Sequence, residues 1–167
     1  MIKLIMIYDQ VQAGLGTKDD RMVPLGASRE VIGPALMMKP YLKEIDAKVI
    51  ACLSCGTGTY ALEPDEVRRK LCAMVQKVGA DAVICGPSFN YSEYSKMCAE
   101  VADEIWQKTG VPALAAMAAE NKDIIEKYDK KITIITTPKK GEAGLNDALK
   151  KLCYAVQEVV SKNSKKS

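Results

Sequence analysis

Three short segments of this sequence combine residues that could bind or transform a small molecule. Ser54-Cys55-Gly56-Thr57-Gly58-Thr59-Tyr60 joins a thiol, three hydroxyls and a phenol to two glycines. Glycines there let backbone approach a ligand closely, and the hydroxyls offer orienting hydrogen bonds. Gly86-Pro87-Ser88-Phe89-Asn90-Tyr91 sets the only phenylalanine and an asparagine on a Gly-Pro turn. With Tyr94 close behind, Tyr91 could build an aromatic wall that attracts an ammonium group. Glu120-Asn121 could add the carboxylate that completes an amine receptor. Each also has a plainer reading: Phe89 as core, Asn90 as a helix cap, Glu120 as an exposed first-turn residue.

The chain has no histidine, which removes the usual neutral-pH base and every Ser-His or Cys-His nucleophile pair. Cys52 and Cys55 form a C-x-x-C, but Cys52 falls inside an apolar run and reads as a small core residue. Cys55 falls where that run ends, a position open to a functional thiol. Soft ligands lack the spacing of a second pair, so no metal site is expected. Gly14-Leu15-Gly16 lacks the third glycine and the helix start of a dinucleotide fingerprint, and Lys139-Lys140-Gly141 lacks the spacing and hydroxyl of a phosphate loop. No cofactor is therefore expected on this chain.

The elements that would position these segments follow from patterning. Five apolar runs, Lys3–Tyr8, Lys48–Leu53, Ala82–Cys85, Ala113–Met117 and Lys131–Thr136, are near-continuously hydrophobic, as suits strands covered on both faces. Amphipathic stretches predict helices over Asp65–Val78, Tyr91–Lys108 and Glu142–Ser161. Pro64 precedes the first of these, Gly79 and Gly110 follow helix ends, and Asn90 with Glu93 has the spacing of a capping box. Val31–Leu42 is ambiguous, because Pro34 could open a helix and Pro40 should break one. The alternation predicts an α/β fold: one doubly wound, mainly parallel five-stranded sheet with helices on both faces, Rossmann- or flavodoxin-like. Ligands of such sheets bind beyond the carboxyl ends of the strands. That rule selects the loops Asp9–Gly16, Ser54–Tyr60, Gly86–Tyr91, Ala118–Asn121 and Thr137–Gly141.

With 167 residues, 48% apolar and 27% charged, the chain fits one domain, expected over residues 1–161, with residues 162–167 a disordered basic tail. Its formal charge of +3 equals the three tail lysines at 162, 165 and 166, so the body is neutral and carries no nucleic-acid or membrane footprint. The longest apolar run, Val111–Ala119, is nine residues, too short for a bilayer. Six cysteines with no signal-peptide pattern at Met1–Met6 read as reduced thiols in a cytoplasm.

At these same loops the sequence resembles the amino-terminal portion of component B (selenoprotein B) of the glycine, sarcosine and betaine reductases. The resemblance runs over about residues 3–121: Tyr8-Asp9-Gln10 with Ala13-Gly14-Leu15-Gly16, Gly33-Pro34, Val49-Ile50-Ala51 leading to Cys55-Gly56 and Tyr60, and Gly86-Pro87-Ser88-Phe89-Asn90 with Tyr94 and Cys98. It ends on Gly110-Val111-Pro112-Ala113 to Met117, Glu120 and Asn121. It implies reductive C–N cleavage of a small amino acid or methylated amine, with a separate thiol or selenol redox partner and a selenocysteine beyond the matched residues. Cys55 and Cys98 match family positions and are the candidate catalytic thiols, although Cys98 also sits on a helix's apolar stripe. Gly14, Gly16, Gly56, Tyr60, Gly86, Phe89, Asn90, Tyr94, Glu120 and Asn121 are the candidate substrate-binding residues. Glu93 stands where the family tends to have Arg, and Ser92, Ser95 and Ala99 stand for glycines. Reversing a charge beside a pocket selects a different ligand.

The expected role is thus a component B-like subunit of an oxidoreductase complex, with a homo-oligomer as one arrangement left open. The alternative is a non-catalytic binding or scaffold module that kept the fold. A flavodoxin-like electron carrier rests on fold analogy alone, and the single tryptophan, Trp106, falls in a helix rather than a strand-end loop.

Overall fold

Strand β1 (Ile2–Tyr8) occupies an inner position of a six-stranded sheet, flanked by β3 (Ala47–Ser54) and β4 (Ala82–Ser88). A computed structural model describes residues 1–89, 91–139 and 141–166. The order is β2-β3-β1-β4-β5-β6, with β2 at Gly26–Ser28, β5 at Ala113–Ala118 and β6 at Thr133–Thr137. Every pairing is parallel except β2 on β3. The five expected strands are all present, and the sixth, β2, corrects the count. Its Gly-Ala-Ser sequence has no branched apolar residue to mark it, and it forms because the chain leaving β1 turns back along Cys52–Ser54.

Helices cover both faces. Helix α1 (Ala35–Glu44) and α6 (Leu145–Lys166) pack on the side of Leu4, Met6, Ile84 and Leu114. On the other side, α3 (Pro64–Val78), α4 (Ser92–Thr109) and α5 (Lys122–Tyr128) pack over Ile5, Ile7, Val83 and Ala115. Successive residues of β1 enter opposite cores, so a near-unbroken apolar run is what this position requires. A short helix α2 (Thr57–Leu62) links β3 to α3.

Gly79 and Gly110 are left-handed caps of α3 and α4, as their positions predict. Pro40 lies inside α1 without ending it. Leu36, whose carbonyl the proline leaves without its helical donor, is exposed, so water can serve it. Helix α6 continues through the segment expected to be a disordered tail as far as Lys166. No described helix is long and apolar enough to cross a membrane.

From β1 the chain moves outward to β3, then crosses back over β1 to β4. The connections therefore part between β1 and β4, and a crevice opens at their carboxyl ends, the switch point of an open α/β sheet.

Candidate functional site

The crevice begins where β1 runs out. Asp9 follows Tyr8 directly and is 1% exposed. Its Oδ1 accepts the Gln12 amide at 2.8 Å, which turns the chain away from the sheet. Burial raises the Asp9 carboxyl above its ordinary range, and the backbone amides of Gln12 and Val11 offset this only in part. A desolvated carboxylate in a cleft at a switch point is a functional-site signature. Gln10 is also buried; its Oε1 accepts the Thr57 amide at 3.2 Å and couples the end of β1 to the start of α2.

Beyond Asp9 the chain forms a strap to β2 that lies across the end of β3. The Arg21 carbonyl accepts the Gly58 and Thr59 amides at 2.8 and 3.2 Å, and the Val23 carbonyl accepts the Gly56 amide at 2.9 Å. A Cβ at Gly56 would collide with the Arg21 carbonyl and lie 2.7 Å from the Val23 nitrogen, so this glycine exists for the strap's close approach. Gly14 and Gly16 belong to the strap itself, Gly14 exposed and Gly16 against Asp20. The Arg21 side chain then reaches α4: Nε and Nη2 donate to Glu93 Oε2 and Oε1 at 2.9 and 2.8 Å.

Asp9, Gln10, Lys18, Thr57, Tyr91 and Glu93 line a cleft of about 240 Å³ at this point. It lies below the roughly 300–1,000 Å³ of sites for drug-sized ligands. Among the described residues, further clefts adjoin it. One, of about 350 Å³, shares Thr57 and Glu93 and adds Tyr60, Arg68, Lys96 and Glu100. A more apolar one, of about 340 Å³, shares Val11 and Tyr91 and adds Phe89, Pro138 and Leu145. Another, of about 350 Å³, shares Ser92 and Glu93 and adds Glu120, Asn121 and Asp123.

The strand-end loops thus converge, with the start of α4 at their centre, but the expected residues separate into distinct roles. Tyr60 is buried, its hydroxyl donating to Glu100 at 2.9 Å while accepting from Arg68 Nη1 at 2.7 Å. Phe89 is half-buried in the apolar cleft, and exposed Glu120 lines the cleft on α4's far side. Asn121 acts on backbone: its Nδ2 donates to the Phe89 carbonyl at 2.9 Å and to the Ala118 carbonyl at 3.1 Å. Gly86 has φ +119° and abuts the Ala116 carbonyl, so it too serves backbone packing, ahead of a cis bond to Pro87. Asn90, proposed as cap and ligand contact, lies outside the described residues; the α4 N-cap is Tyr91, without a side-chain bond. Tyr94 does not join an aromatic wall. It is fully buried on α4's inner stripe, with its hydroxyl donating to the Ile7 carbonyl at 3.0 Å.

The thiols are inward as well. Cys55 is fully buried and burial pushes its thiol up to about 11. Cys98 is 1% exposed, and burial together with the neighbouring Cys85 holds it well above the ordinary thiol range. All six cysteines are buried and unpaired with one another. Sequence patterning singles out neither Asp9 nor Gln10, and it offers Thr57 for its hydroxyl, whereas Thr57 lines the cleft and is held through its backbone amide. The signal available was a carboxylate at the first position after the first strand, in a loop already selected by the strand-end rule.

The sequence profile of the family described as glycine/sarcosine/betaine reductase selenoprotein B matches residues 1–167. The chain belongs to this family. Among curated selenoprotein B-family relatives, it is 27% identical to the sarcosine reductase complex component B subunit beta of Peptoclostridium acidaminophilum over 157 residues, 94% of this chain and 35% of that one. It is 29% identical to the glycine reductase complex component B subunit gamma of Carboxydothermus hydrogenoformans over 121 residues, 72% of this chain and 27% of the relative. The chain therefore spans about a third of the length of the selenoprotein B-family relatives it matches. The resemblance drawn from the strand-end motifs is thereby established at the level of family.

Proposed function

We propose that this chain is the ligand-recognising part of a component B-like reductase subunit. It binds a small amino acid or methylated amine in the switch-point cleft for reductive C–N cleavage. The observation that carries this reading is Asp9, a buried carboxylate facing a cleft of about 240 Å³ at the ends of β1 and β4. In this reading the ligand's ammonium group replaces the water Asp9 has lost, the Tyr91 ring offers its face to N-methyl groups, and Lys18 receives a carboxylate.

The chain's own thiols are buried, and those of Cys55 and Cys98 are held protonated at neutral pH, which supports a nucleophile from elsewhere. We assign it to the selenol or thiol of a separate redox subunit, which also supplies the reducing electrons. The same burial supports a second reading, a binding module without a reaction of its own.

Thermal unfolding with glycine, sarcosine, betaine and their parent amines tests the binding. A rise in Tm with at least one of them is expected for the wild type and absent for Asp9→Asn; no rise with any overturns the reading. Amine release upon adding the redox subunit then separates enzyme subunit from binding module.

A further inference from the structure

The strap's anchorage has a consequence for ligand choice. Glu93 lines the switch-point cleft together with Asp9 and Lys18. Alone, two carboxylates and one ammonium would make the cleft net negative. Arg21 changes that sum by meeting Glu93 in a two-pronged ion pair at 2.9 and 2.8 Å. The fork geometry is what a guanidinium offers a carboxylate and an ammonium does not. The two side chains are 43% and 56% exposed, so the pair adds little to stability, and its effect is on the field at the cleft mouth.

Arg21 reaches Glu93 because its own backbone is held. Its carbonyl accepts the Gly58 and Thr59 amides, and the approach leaves no room for a Cβ at Gly56 or, against the Arg21 Cβ at 2.9 Å, at Gly58. The glycine pair after β3 thus sets where the guanidinium stands, 72 residues from its partner in sequence.

We infer that Arg21 is a specificity-determining residue: by cancelling Glu93 it leaves the cleft net neutral, so that zwitterions are preferred over amines lacking a carboxylate. This rests on the proposed amine site but adds a selection rule to it. A zwitterion places its ammonium near Asp9 and its carboxylate near Lys18, whereas a bare cation gains only if Glu93 is uncovered.

The test is calorimetric titration with matched pairs: sarcosine against dimethylammonium, and betaine against tetramethylammonium. Arg21→Gln should raise the cation-to-zwitterion affinity ratio about fivefold, the scale of a half-exposed charge. Glu93→Gln, which uncovers Arg21, should lower it by a similar factor. The double variant should return it to within about twofold of wild type. Because the strap is held through the Arg21 carbonyl, all variants retain that anchor, and circular dichroism checks that they are folded. Wild type binding zwitterions while the single variants fail to shift in opposite directions, or the double variant fails to restore the ratio, overturns the inference alone. Wild type binding neither ligand of either pair overturns the amine site, and the inference with it.

Discussion

The Asn121 side-chain amide donates to the Phe89 carbonyl at 2.9 Å, tying the end of β5 to the turn that leaves β4. The same nitrogen donates to the Ala118 carbonyl, so one 8%-exposed side chain bridges two strand-end loops. The wall of the apolar cleft at Phe89 is therefore set from the neighbouring strand. Replacing Asn121 by Ala should cost about 1 kcal/mol by taking this donor from the part-buried Phe89 carbonyl, while the Ala118 carbonyl keeps the Asn121 backbone amide. Asn121→Asp, which keeps the shape but loses both donors, should cost at least as much. Urea unfolding of the two variants checks this.

Asp9→Asn should separate stability from binding. Burial raises the Asp9 carboxyl, so the stability it contributes is complete at acid pH and is lost as pH rises through the raised value. Asparagine keeps an oxygen for the Gln12 amide and carries no charge to desolvate. The variant should be as stable as wild type or more stable at pH 7, with Tm no longer falling as pH rises from 4 to 7. Affinity for an ammonium ligand should drop about tenfold or more, because the buried charge that pairs with it is gone. In wild type that affinity should rise with pH over the same range.

Gly56→Ala should loosen the strap. The added methyl meets the Arg21 carbonyl and the Val23 backbone, neither of which can swing aside like a side-chain end. A cost of about 1–3 kcal/mol is expected, and amide exchange over the strap should quicken relative to β1 and β4.

Thiol labelling provides a fourth check. All six cysteines are buried, and Cys55 is pushed up to about 11. An aromatic disulfide reagent at pH 7.5 should modify none of them until the protein unfolds. A thiol that reacts rapidly in the folded protein would return the nucleophile to this chain.

The five long strands, the three amphipathic helices and the loops where a ligand could sit were legible in the sequence. Burial on both faces leaves an apolar run, and a left-handed glycine marks the ends of α3 and α4. Other features were not legible because they depend on contacts between distant segments. Strand β2 has no β-forming residues and exists only by pairing with β3. Tyr94 and Cys98 looked available as chemistry-bearing side chains, but the stripe of α4 that carries them faces the sheet. Asp9 looked like one more loop residue until Gln12 and the strap enclosed it. Residue type and period determine which segments become strands and helices, since those choices are local. Which side chains lose water and which charges meet, as Arg21 and Glu93 do, is decided only when the strap, the switch point and α4 come together, because desolvation and ion pairing act through space and not along the chain.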